Sequence, residues 1–155
     1  MKSLIGQKIA ILAANGFDEA DMIAAQRALV AAGATMRLVS SDNGLVNGWD
    51  GKGWGHNFPV DAALNTALGV DYDGLVIVGG QRSFDKLKMT AHTKRFIGSF
   101  MLAQKPVVAF GEAADVLMEE DQRDVDTVLK GDAGEVAAKM VDHLMPSDTM
   151  DKVAA

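Results

Sequence analysis

Three short stretches hold the residues whose types could do chemistry: Asn15–Glu19, Gly79–Ser83 and Gly111–Ala114. Asp18 and Glu112 contribute carboxylates from two of them. Two carboxyl groups brought together, one with a raised pKa, can act as acid and base in hydration or hydrolysis. Each also falls where a helix would begin, and there a carboxylate caps amide groups and complements the helix dipole without any catalytic role. Gly79-Gly80 allows backbone N–H groups to approach an oxyanion, or simply ends a strand and relieves crowding. Gly111-Glu112 opens a strand-to-helix turn, the position where many hydrolases hold a nucleophile. The apex here is glycine or glutamate. Ser83 and Ser99 lie elsewhere, none of the three histidines is near these turns, and no Ser–His–Asp set forms.

The chain contains no cysteine. Cysteine nucleophiles, disulfides, thiolate zinc sites and iron–sulfur clusters are therefore excluded. His56, His92 and His143 are scattered, so no metal cluster is expected. The glycine-dense Gly48–Gly55 does not join a strand to a helix and is not a dinucleotide fingerprint. A flavodoxin would need a hydroxyl-rich phosphate loop where Ala14–Asp18 stands, and a receiver domain would need an aspartate where Gly79-Gly80 stands. No cofactor is expected.

The elements that must position these residues follow from hydrophobic patterning. Ile9–Ala13, Met36–Ser40, Leu75–Val78 and Val107–Phe110 read as strands, the first, third and fourth apolar throughout and so buried on both faces. Helices are expected from Asp18 to Ala32, stopped by Gly33; from Asp61 to Leu68; from a Thr90 cap, with Phe96, Ile97, Phe100 and Met101 on one face; after Gly111; and after an Asp132/Glu135 capping box. Leu45-Val46 and Phe58–Val60 pair around a turn-rich tip, and Val125–Leu129 supplies a fifth core strand. Strands alternating with helices imply a mostly parallel sheet covered on both faces, with ligands at the carboxyl ends of the strands near the topological switch point.

The 155 residues, 48% hydrophobic and 23% charged, suit one soluble globular domain. No apolar run approaches the roughly 18 residues of a membrane span. Net charge is −6, with eleven Lys/Arg against nine Asp/Glu in residues 1–110 and four against twelve in 111–155. No basic stripe forms, so neither nucleic acid nor membrane is an expected partner. Lys8 interrupts the N-terminal apolar stretch, which argues against a secretion signal and for the cytoplasm.

With these residues in view, the chain resembles the ThiJ/PfpI superfamily, relatives of class I glutamine amidotransferases. The resemblance runs from about Lys8 to Met118. It rests on Lys8–Glu19, Gly48-Trp49-Asp50, Trp54–Asp61, Asp71–Gly80 and Lys105–Phe110, taken in order. It implies a flavodoxin-like three-layer α/β/α sandwich, a single domain over 1–145 with a frayed tail over 146–155, and a homodimer. Active members look like peptidases, glyoxalases, deglycases or hydratases built on a Cys-His pair. Carried over by position, the family acid falls on Asp18, the oxyanion glycines on Gly79 and Gly80, the nucleophile on Gly111 and its histidine on Glu112. The Gly111-Glu112-Ala113 elbow is similar to the cysteine-less C-terminal domain of large-subunit catalases. The expectation is a pseudoenzyme whose vestigial site binds a small ligand or a partner, or stabilises an assembly. The alternative is a hydrolase or hydratase using an Asp18/Glu112 pair.

Overall fold

The computed structural model describes residues 6–42, 44–103, 105 and 107–109, and the backbone of 128–130. In chain order the elements are β1 (Lys8–Leu12), β2 (Phe17–Asp18), α1 (Glu19–Ala31), β3 (Thr35–Ser40), β4 (Leu45–Trp49), β5 (Trp54–Pro59), β6 (Ala62–Ala63), a 3-10 turn (Gly69–Asp71), β7 (Gly74–Ile77), α2 (Gln81–Lys88), α3 (Ala91–Leu102), β8 (Val107–Ala109) and β9 (Val128–Lys130). Six strands form one sheet in the order β6-β3-β1-β7-β8-β9, every neighbouring pair parallel. β2, β4 and β5 form a small second sheet, in which β4 and β5 make an antiparallel hairpin.

The apolar runs become strands buried on both faces because successive side chains point to opposite sides. Ala10, Leu12, Leu75 and Ile77 meet Phe84 and Leu87 of α2 and Phe96, Ile97 and Phe100 of α3. Ile9, Ile11, Val76 and Val108 meet Met22, Ala25 and Leu29 of α1, together with Phe17 and Val46. Two cores on opposite faces of one sheet make the expected three layers. Thr90 caps α3 as anticipated, its side chain accepting the His92 N–H at 3.2 Å.

Three expectations need correction. Asp61–Leu68 is not a helix. Ala62–Ala63 adds an edge strand beside Val39–Ser40, and Asp61 exchanges hydrogen bonds with Leu38, accepting its N–H at 2.8 Å and donating its own to the Leu38 carbonyl at 2.9 Å. An eight-residue segment has little helical stability of its own, so pairing with the open sheet edge wins. Gln81–Lys88, read only as a loop start, is a helix; its apolar face is just Phe84 and Leu87, too narrow a stripe to register in the sequence. The fifth core strand is Val128–Lys130, shifted from Val125–Leu129. The helix after Gly111, the 132–144 helix and the 146–155 tail lie outside the described residues.

Candidate functional site

The order β3-β1-β7 places the topological switch between β1 and β7, and the loops leaving those two strands meet there. Gly79 is gripped from both ends by the first turn of α1. Its carbonyl accepts the Asp18 N–H at 2.7 Å, and its N–H donates to Asp21 Oδ2 at 3.2 Å. Gly80 has φ +120°, and a Cβ there would sit 2.8 Å from both the Asp18 nitrogen and the Gly16 carbonyl oxygen. Only glycine fits, because the crowding atoms are backbone.

Asp18 is the N-cap of α1: its Oδ1 accepts the N–H of Ala20 at 3.0 Å and of Asp21 at 3.3 Å. The carboxyl group that reaches the end of β7 is that of Asp21, three residues on. Burial raises its pKa above the ordinary value of 3.8, the neighbouring Asp18 charge raises it further, and the Gly79 N–H draws it partly back. The sequence signal for Asp21 was its position one turn past a cap, which puts it on the edge of the helix facing the strand ends. Gly111 and Glu112 lie outside the described residues, so no separation from Asp18 enters the geometry. Ser83 is buried and its hydroxyl accepts the Ala14 N–H at 2.9 Å, tying α2 to the end of β1.

Glu19, unremarked in the sequence, is a buried carboxylate under the β4–β5 hairpin. Its Oε1 accepts the backbone N–H of His56 at 2.5 Å and lies 3.2 Å from His56 Nδ1. The imidazole itself is 83% exposed, whereas the Glu19 side chain is 11% exposed. Gly48 and Gly55 make the space: a Cβ would come within 2.7 Å of Glu19 Cβ from the first and 2.5 Å of Oε1 from the second. Anchored this way, the hairpin holds both tryptophans over the strand ends, Trp49 and Trp54 edge to face at 5.5 Å. Arg82, in the first turn of α2, lays its guanidinium over Trp49 at 4.1 Å from the ring centre. Its aliphatic stem crosses Gly16, where a Cβ would lie 2.9 Å from Arg82 Cδ. This contact spans elements far apart in sequence and left no local signal.

Between the α1 start, the hairpin tip and the α2 start lies a crevice of about 520 Å³, lined among others by Asp18, Ile23, Trp49, Asp50, Gly80 and Arg82. That volume is in the range of small-molecule sites. Asp50 Oδ1 accepts the N–H groups of Lys52 and Gly53 at 2.9 and 2.8 Å, which hold its pKa below the usual value. Among the described residues no three His, Asp or Glu gather as metal ligands, and no helix is long and apolar enough to cross a membrane.

The DJ-1/PfpI family model matches residues 7–144, further than the Lys8–Met118 stretch legible in the motifs. Catalase HPII of Pseudomonas putida is 30% identical over 138 residues, which are 83% of this chain and 19% of that protein. The chain thus spans about a fifth of that relative's length, and the catalase likeness read at the elbow extends over most of the chain. A two-domain protein of Anabaena variabilis with DJ-1/ThiJ/PfpI-like and ferritin-like domains superposes with TM-score 0.63 at 27% identity, over 72% of this chain and 32% of that one. Oxidised DJ-1 of Toxoplasma gondii superposes with TM-score 0.69 over 96% of each chain, at 15% identity, a likeness of fold.

Proposed function

The chain belongs to the DJ-1/PfpI family, and from that premise we propose that it is a non-catalytic member, binding a small ligand at the crevice beside the ends of β1 and β7. One observation carries the reading: the chain has no cysteine, and its sequence reads Gly111-Glu112 at the position to which the family's Cys-His pair carries over. Covalent catalysis of that kind needs a thiolate, and a glycine hydrogen cannot replace it. Of the two oxyanion glycines Gly79 is also engaged, since its N–H already donates to Asp21. In both the catalase and the two-domain relative the matching region is one part of a longer chain, which supports a second use, as a module that stabilises an assembly. By analogy with the family, the working form is a homodimer.

The test is direct. Purified protein is assayed on methylglyoxal and on peptide and amide substrates, with no turnover above background expected. Turnover that vanishes in Gly79 and Glu112 variants but persists in surface controls would overturn the reading. It would favour the alternative, a hydrolase or hydratase working through carboxylates, for which Asp18 and Glu112 are the pair to vary first.

A further inference from the structure

We propose that the crevice lined by Trp49 and Arg82 binds the carboxylate of a small organic monoanion with an apolar body. This deepens the binding role above and rests on the crevice being the working site.

The Arg82 side chain makes no hydrogen bond or ion pair among the described residues, although three carboxylates line the same crevice. Each of those is committed elsewhere: Asp18 to the amides of α1, Asp50 to the hairpin turn, Glu19 to His56. The cation–π contact with Trp49 takes up none of the guanidinium's N–H donors as hydrogen bonds, and these form the fork that matches a carboxylate in a bidentate pair. α2 adds to this: its N-cap, Gly80, offers no side-chain cap, and its first turn holds no acid. Ala20 and Ile23 of α1 and the Trp49 ring add apolar lining for the body of the ligand.

The formal charges of Asp18, Glu19 and Asp50 decide the ligand's charge. A dianionic phosphate meets three like charges against one Arg, whereas a monoanion gains nearly the same pairing with about half the repulsion. A cationic ligand would be drawn to the three carboxylates and away from the Arg82 fork, and is the opposing outcome that the titration separates.

The measurement is a set of amide and indole N–H correlation spectra of the full chain, titrated separately with phenylacetate, inorganic phosphate and phenethylamine. Trp49 and Trp54 are the chain's two tryptophans, so just two indole signals report. Phenylacetate should saturably shift the Trp49 indole and the amides of Gly80 and Arg82, at about 1 mM or below. Arg82→Gln should weaken this at least about tenfold, and Arg82→Lys less, since lysine keeps the charge without the fork. Should the glutamine variant fail to fold, the order of the three probes on the unaltered protein decides. Phosphate or phenethylamine acting at lower concentration than phenylacetate overturns the assignment, as does a folded spectrum unmoved by all three. Silence here with blank enzyme assays leaves the non-catalytic reading standing. Turnover in those assays removes that reading without touching the carboxylate titration.

Discussion

Two helices begin within the same crevice and are finished in opposite ways. α1 starts with Asp18 as a two-bond cap and carries Glu19 and Asp21 in its first turn, each accepting a backbone N–H from another segment, His56 of β5 and Gly79 after β7. α2 starts at a glycine with no capping side chain, has no acid in its first turn, and presents Arg82 stacked on an indole. At the first helix the carboxylates lock loops together. The second leaves donors uncommitted. The same crevice therefore joins a stabilised half to an available half, and the difference separates residues that hold the site from those that can meet a ligand.

The harshest way to break this contrast is Gly80→Ala. A side chain at φ +120° with backbone atoms 2.8 Å away forces apart the loops leaving β1 and β7. A loss of about 3 kcal/mol in urea unfolding is expected. A change under about 1 kcal/mol would mean the two loops are not rigidly joined.

Asp18→Ala tests whether the α1 start is structural. The expected cost is about 1 kcal/mol, the worth of an N-cap. Carboxylate binding at Arg82 should survive, or tighten as one repulsive charge leaves. A far larger effect on binding than on stability would mark Asp18 as a ligand contact instead.

The smallest effect is on pH dependence. Asp21 is protonated more readily in the folded chain than in the unfolded one, chiefly through burial. Its contribution is thus complete below the ordinary aspartate value and is lost as pH rises through the elevated folded value. Asp21→Asn should flatten that fall, read as urea midpoints from about pH 3 to 6. An unchanged slope would place the source elsewhere. Asp18→Ala should flatten it in part, because the Asp18 charge is the second cause of the shift.

The sheet was legible because its central strands are nearly uninterrupted apolar runs, a pattern that only burial on both faces explains. Ile9–Ala13 and Leu75–Val78 were each found to within a residue of β1 and β7. The caps at Asp18 and Thr90 were legible for a similar reason, since they act over two or three residues. Asp61–Leu68 failed because its partner, Leu38, is remote in sequence and its local helical preference was weak. The site was less readable than the fold. Asp18 was singled out by position, yet the carboxyl on Gly79 is that of Asp21, one helical turn away. Nothing in the spacing of Glu19 and His56, or of Arg82 and Trp49, announces that they touch, because those contacts exist only after the hairpin folds back over the sheet.

The lodging of Glu19 between Gly48 and Gly55 has a consequence for how this lineage can vary. Enlarging either hairpin position evicts the carboxylate, and shortening the acid leaves the His56 amide without its acceptor and a void below the turn. Aligned sequences should therefore show these three sites changing as a block, with both glycines retained wherever the glutamate is. A relative that has traded one of the three alone would be expected to hold its tryptophans at a different height above the strands, and with them a differently shaped mouth.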